Sequence, residues 1–306
     1  MSDILCLGEA MVEFNQSNPD GSFVMGIGGD TSNVAIAAAR SGARAGYVTT
    51  VGADMFGDRL LELWARENVD PLGILRREDA PTGVYFVTHG PQGHQFSYLR
   101  KGSAASLMRP ADLPRGLIEA AKFLHVSAIS QAISATAAET VMAAIGLARG
   151  AGVRVSYDTN LRLKLWPLER ARGVIHEAMA LAHIARPSLE DARLLTGLEA
   201  PDAIADFYLK LGADTVALTM GGDGVLLATP QKRERFQPLA VDFVDATGAG
   251  DCFSGAFLAR LARGDDAFAA ARYANAAAAL STTRHGAVAG IPTAAEAAQQ
   301  FPGCII

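Results

Sequence analysis

At 306 residues, half of them hydrophobic and 19% charged, the chain has the balance of a compact globule, with room for one large α/β domain or two small ones. A net charge of −5 argues against nucleic acid or an anionic membrane as main partner, and the three cysteines, Cys6, Cys252 and Cys304, are too far apart for a metal pair or a disulfide framework. The opening MSDILCLGEAMVEF lacks a cationic, apolar leader, and no apolar run approaches the roughly 18 residues of a membrane span, so a cytoplasmic protein is expected.

In chain order, Ile4–Leu7 reads as a buried strand. Gly8-Glu9-Ala10 follows it, not the G-x-G-x-x-G that opens a dinucleotide site. Gly28-Gly29-Asp30-Thr31-Ser32-Asn33-Val34-Ala35 leads into a helix predicted over Ser32–Ser41 and stopped by Gly42. A strand at Ala45–Val51 and a helix at Phe56–Glu67, with Asp54 as its N-cap, come next. Gly83–Val87 and Gln95–Arg100 then alternate like two exposed strands around the turn-rich residues 89–94.

That hairpin has no obvious place in a sheet core. With Phe23–Met25 it would form a small β-sheet lid, its strands inserted around 12–27 and 82–101 of a single α/β domain spanning 1–306. Period-two spacing would put Tyr85, Tyr98 and Arg100 on one lid face. The plainer alternative is a decorative surface hairpin.

Strands at Phe123–Val126, Val153–Tyr157, Ile184–Arg186 and Thr215–Thr219 alternate with helices at Thr136–Arg149, ended by Gly150, and Leu168–Leu181. The rhythm predicts a doubly wound, mostly parallel sheet flanked by helices, with right-handed crossovers. The last third reads as helical: Gly250–Arg263, Asp266–Thr283 and a short C-terminal helix.

The chemistry concentrates in Asp245-Ala246-Thr247-Gly248-Ala249-Gly250-Asp251, where a strand at Val241–Val244 is predicted to end and a helix to begin. Free N–H groups at a helix start, with its dipole, make a pocket for a transferring phosphoryl group at Gly248, Ala249 and Gly250. Asp251 follows at once, placed to take a proton from an attacking hydroxyl. The alternative is that Asp251 merely caps a helix behind a tight turn.

This DATGAGD run resembles the C-terminal D-T-x-G-A-G-D signature of the PfkB (ribokinase-like) carbohydrate kinases, and the resemblance covers nearly the whole chain. Residues 28–35 are similar to the family's G-G-x-x-x-N-x-A element, and residues 52–57 to its V-G-x-D-x-x-G. The resemblance implies a ribokinase-like fold and ATP-dependent, magnesium-assisted phosphorylation of a sugar hydroxyl. It also implies that Gly28 and Gly29 let the sugar approach the backbone, and that Asn33 either holds the sugar or fixes the turn.

On the nucleotide side the resemblance places Thr219, Gly221 and Gly224 in a phosphate-facing loop and Asn275 in the adenine wall. Asp245 and Thr247 fall at a monovalent-cation position, commonly potassium, or form a hydrogen-bonded turn. Two departures stand out: Ser188 and Asp191 give S-x-x-D where relatives carry N-x-x-E, and Thr219 replaces a frequent lysine, offering a hydroxyl but no charge.

The acceptor is argued from residues 96–106 on the lid and 158–166 after a central strand. Arg100 and Arg162 matter because guanidinium binds carboxylate bidentately, whereas a neutral ketose needs no pair of cations. The segments are similar to the Y-x-R-x-G-S-A-x-S and D-x-N-x-R-x-x-L-W elements of 2-keto-3-deoxygluconate kinases, in which Tyr85 also matches a substrate-contacting tyrosine. The resemblance therefore implies ATP-dependent phosphorylation of the 6-hydroxyl of 2-keto-3-deoxy-D-gluconate. The competing expectations are a fructokinase or other neutral-sugar kinase, and an inactive sugar-acid sensor. An apolar lid face would also suit a second copy of the chain.

Overall fold

The computed structural model describes residues 2–18, 21–90 and 93–304. Its strands are β1 Ile4–Leu7, β2 Met11–Gln16, β3 Phe23–Gly28, β4 Ala45–Gly52, β5 Asp70–Arg77, β6 Val84–Gly90, β7 Gly93–Leu99, β8 Phe123–Ser127, β9 Arg154–Asp158, β10 Ile184–Arg186, β11 Thr215–Thr219, β12 Val225–Ala228 and β13 Arg233–Phe236. The principal helices are α1 Asp30–Arg40, α2 Met55–Arg66, α3 Ala135–Gly150, α4 Leu168–Met179, α5 Leu189–Thr196, α6 Pro201–Leu211, α7 Ala249–Arg263 and α8 Ala267–Ser281.

Nine strands form the main sheet in the order β13-β12-β11-β10-β9-β8-β1-β4-β5. Pairing is parallel from β11 through to β5 and antiparallel only at β11–β12 and β12–β13. Continuous apolar runs suit strands covered on both faces; every residue of β1, β4 and β8 is buried. One face packs against α1, α2, α7 and α8 through residues such as Ile36, Trp64, Phe253 and Ala274. The other packs against α3, α4, α5 and α6 through Ile145, Ile175, Leu195 and Tyr208.

Close packing of α1 on α7 depends on one glycine. A Cβ at Gly255 would lie 2.4 Å from the Val34 carbonyl oxygen and 2.6 Å from Ala37 Cβ. The helices therefore approach as closely as backbones allow, and this brings the first turn of α1 against the first turn of α7.

A second sheet, β3-β2-β6-β7, joins the segments expected in the lid. β2 pairs antiparallel with β3 and parallel with β6, and β6 pairs antiparallel with β7. Tyr85 lies directly opposite Tyr98. Pro19, Asp20, and Pro91 and Gln92 of the 89–94 turn lie outside the described residues. Both legs of the β6–β7 hairpin are anchored at their bases. The Asp54 carboxylate caps α2, accepting from Phe56 and Gly57, and also accepts from the Thr82 backbone (2.7 Å) and hydroxyl (2.9 Å). At the other leg, Arg100 pairs with Glu9.

Two expectations need correction. Val241–Val244 is not a strand: its apolar residues mimic one, but the β12–β13 hairpin already occupies that sheet edge. The segment is held by Val244 and Asp245 N–H donating to the Thr282 carbonyl, with Phe243 and Val244 exposed. Gly150 is the last residue of α3, and the left-handed stop is Gly152 (φ 76°). Edge strand β5 and helices α5 and α6 were not anticipated. Among the described residues no helix is long and apolar enough to cross a membrane.

Candidate active site

Parallel strands deliver their C-terminal ends to one edge of the sheet, where open α/β folds bind ligands. Here those ends carry Glu9 just past β1, Asp158 on β9, Arg186 on β10 and Thr219 on β11. The start of α7 faces the same edge. Gly248 adopts a left-handed φ of 78°, and any Cβ there would lie 2.8 Å from that of Ala287. The N–H of Ala249 is taken up by the Ala246 carbonyl at 3.1 Å. Ala249 therefore closes the turn, while Gly250 and Asp251, in the first helical turn, have N–H groups with no intrahelical acceptor.

Asp251 is half-buried, and its Oδ2 accepts from Asn33 Nδ2 at 2.8 Å. Burial, and then the negative charge of Asp30, push its carboxyl up to about 7, against the opposing pull of Asn33, Arg186 and Arg162. A carboxylate raised towards neutrality is a competent proton acceptor at physiological pH. Asn33 thus serves the aspartate rather than a turn of its own.

Below this pair lies a charge network that the sequence did not reveal. Arg186 is buried and pairs with Asp158; its Nη1 lies 3.5 Å from the Thr219 hydroxyl. The ideal Cβ of Gly250 would sit 3.1 Å from Arg186 Nη1, a tight contact that would ask the guanidinium to give by a few tenths of an ångström under the helix start. Asp158 also accepts from the Asn160 N–H, and Asn160, in the left-handed region at φ 21°, donates from Nδ2 to Asp30 at 2.8 Å.

Of the residues expected on the nucleotide side, Ser188 caps α5 by accepting from the Asp191 N–H at 3.1 Å. One oxygen of Asp191 accepts from the Thr159 hydroxyl and the Leu161 N–H. The S-x-x-D element therefore holds the loop after β9 in place. Gly221 and Gly224 (φ 56° and 82°) turn the β11–β12 hairpin, and a Cβ at Gly224 would collide with the Phe236 carbonyl at 2.0 Å. Asn275 donates to the Gln237 carbonyl at 2.9 Å. Asp245 accepts from the Thr247 N–H and hydroxyl and from the Gly286 N–H, the hydrogen-bonded turn of the two alternatives.

The sugar side changes the reading of Arg100. Its guanidinium is paired with Glu9, which also accepts from the Ser103 hydroxyl at 3.0 Å. Burial pushes the Glu9 carboxyl up, with the Arg100 charge opposing. Arg100 is therefore largely committed inside the protein. Arg162 is exposed, and its Nη1 donates to the Leu161 carbonyl; nearby, the Lys164 ammonium stands 5.9 Å over the lid's Phe96 ring. Tyr85 donates to Glu13 at 2.5 Å and stacks on Tyr98 with centroids 5.7 Å apart. Gly28 leaves room for that tyrosine, since a Cβ would lie 2.3 Å from its hydroxyl. Gly29, at φ 141°, caps α1 where a Cβ would meet the Glu9 carbonyl oxygen.

The family model for pfkB family carbohydrate kinases matches residues 1–294. The chain belongs to that family. It is similar to the 2-dehydro-3-deoxygluconokinase of Bacillus subtilis, 34% identical over 95% of this chain and 93% of the relative. It is equally similar to fructokinase-2 of Zea mays, 34% identical over 96% and 92%. The solved fructokinase of Xylella fastidiosa with bound ATP superposes with a TM-score of 0.90 at 29% identity, covering 99% of both chains. The chain is thus a carbohydrate kinase with an alcohol group as acceptor, on a ribokinase-like α/β fold. Within the family, overall identity does not separate a sugar acid from a neutral ketose.

Proposed function

We propose that the protein transfers the γ-phosphoryl group of ATP to the 6-hydroxyl of 2-keto-3-deoxy-D-gluconate, giving the 6-phosphate and ADP. The kinase chemistry rests on one observation: Asp251, raised to about 7, stands beside the unpaired N–H groups that open α7. Asn33 fixes Oδ2 and leaves Oδ1 to take the hydroxyl proton as the oxygen attacks the γ-phosphorus. The N–H groups of Gly250 and Asp251 then stabilise charge on the transferring group.

ATP would lie along Ser188, Thr219, the Gly221–Gly224 turn and Asn275. Among the described residues no three His, Cys, Asp or Glu side chains form a metal cage, so magnesium would enter on the nucleotide phosphates, where it neutralises charge. A potassium ion would have to use lone pairs of Asp245 and Thr247 left over from their turn.

For the acceptor, the supporting observation is the unequal state of the cations. Arg100 is neutralised by Glu9, whereas Arg162 and Lys164 stand uncommitted by any carboxylate partner within the site's loop and can meet the carboxylate of a sugar acid. A neutral ketose is the second reading, favoured by the carboxylates of Glu9 and Glu13 on the same side. Coupled ADP release across ketoaldonic acids and neutral ketoses tests both. Higher kcat/KM on 2-keto-3-deoxygluconate supports the proposal, a preference for fructose supports the second reading, and no turnover with any sugar leaves a sensor.

A further inference from the structure

Arg186 is a buried cation for which the sequence assigned no role. Its guanidinium pairs with Asp158 of β9, lies beneath Gly250 at the opening of α7, and reaches the Thr219 hydroxyl of β11 at 3.5 Å. Its Nε has no hydrogen-bond partner. Beyond Asp158, the negative charges of Asp251, Asp191 and Asp30 act on it through space and favour its charged form. A buried arginine with a donor unpaired among the described residues is more than a packing element, because an ion pair with Asp158 alone would not require the position under α7.

We propose that Arg186 is the positioning residue of the transfer site: lying under the first turn of α7, it holds Gly250 and Asp251 in place and reaches towards Thr219 where the phosphate loop lacks a lysine. The inference rests on Asp251 as the base. Groups facing Asp251 come from three elements: Asp30 and Asn33 on α1, Arg162 in the loop after β9, and Arg186 on β10. Asp30 favours the protonated acid, while Asn33, Arg186 and Arg162 favour the carboxylate. Arg162 is exposed and therefore screened. Arg186 is the buried cation of the set, and a Cβ at Gly250 would crowd its Nη1 at 3.1 Å.

The test compares Arg186→Lys, which keeps the charge, with the double variant Arg186→Met/Asp158→Asn, which removes the charge without leaving Asp158 unpaired. The readout is the pH profile of kcat/KM together with Tm. In the double variant the acid limb should move up by roughly half to one pH unit, less than for loss of one close opposite charge, because the Asp158 charge leaves with that of Arg186. Turnover near pH 7 should then fall roughly two- to fivefold and recover as the pH is raised. In Arg186→Lys the limb should stay within a few tenths of a unit of wild type. An unmoved limb in a folded double variant, or an equal move in Arg186→Lys, overturns the proposal. A wild-type protein that phosphorylates no sugar overturns it together with the kinase reading, so the two failures are told apart by the wild type alone.

Discussion

Replacing Arg100 by alanine should injure stability before it injures specificity. The Arg100 and Glu9 side chains are 10% and 1% exposed, so the pair is shut away from water. Removing one partner of a buried pair strands the other, at about 3–5 kcal/mol. At about 2.1 cal/mol/K per residue, 306 residues give an unfolding entropy of roughly 0.6 kcal/mol/K, and the loss reads as about 5–8 °C in Tm. Glu9→Gln in the Arg100→Ala background removes the stranded charge and should restore part of that loss. Arg162→Ala carries no such penalty, because Arg162 is exposed. Its loss should raise KM for ketoaldonic acids about tenfold, the lower end for a charge-assisted hydrogen bond, and leave neutral ketoses unaffected. Thermal unfolding and paired-substrate kinetics of the three variants separate the roles. An Arg100→Ala protein with wild-type Tm and a selective loss on acidic substrates would refute the reasoning, and would return Arg100 to the sugar's carboxylate.

The remaining predictions concern the base, the helix contact and the lid. Asp251→Asn should lower kcat by about 10²- to 10⁴-fold with nucleotide binding retained; near-normal turnover removes Asp251 from the role. Because the carboxyl sits up at about 7 and acts unprotonated, kcat/KM of the wild type should be full above that pH and fall about tenfold per unit below it; a flat profile down to pH 5 contradicts the environment described for Asp251. Gly255→Ala should push α1 from α7, lowering Tm and kcat together, since the new methyl would meet the Val34 carbonyl at 2.4 Å; a silent substitution means the helices can yield. Saturating sugar should protect the amides of Gly83–Arg100 from hydrogen exchange if the second sheet closes over the acceptor, and unchanged protection would reduce it to decoration.

The strands of the parallel sheet were legible because a strand buried on both faces is written as an unbroken apolar run, as in ILCL of β1. Val-Asp-Phe-Val at 241–244 has the same local look and is no strand. What decides is whether a sheet edge remains open to receive it, and β13 had taken that edge. Asp251 could be proposed as a base from its neighbours alone, because a turn with free N–H groups followed by a carboxylate is a local arrangement. Arg186 and Glu9 could not, since their partners lie 28 and 91 residues away in the chain. A signal did exist for the first pair: Asp158 and Arg186 each end a β-like run, and consecutive βα units set such ends side by side. For Arg100 the structure adds a partner that its sequence neighbours did not disclose, the Glu9 carboxylate. Guanidinium chemistry announces that a carboxylate is near, but not whether the ligand or the protein provides it.

The passage from β3 into α1 has a mechanical consequence. Gly28 closes the strand, Gly29 caps the helix, and Asn33, hydrogen-bonded to Asp251, comes only four residues later. The small sheet and the proposed base are thus joined through a single short stretch of backbone, which passes through a glycine whose φ of 141° other residues rarely adopt. A swing of the small sheet about Gly29 would tug on the amide that steadies the base. An unoccupied enzyme would then hold its aspartate slack, and a water molecule wandering in beside ATP would find no poised partner to accept its proton.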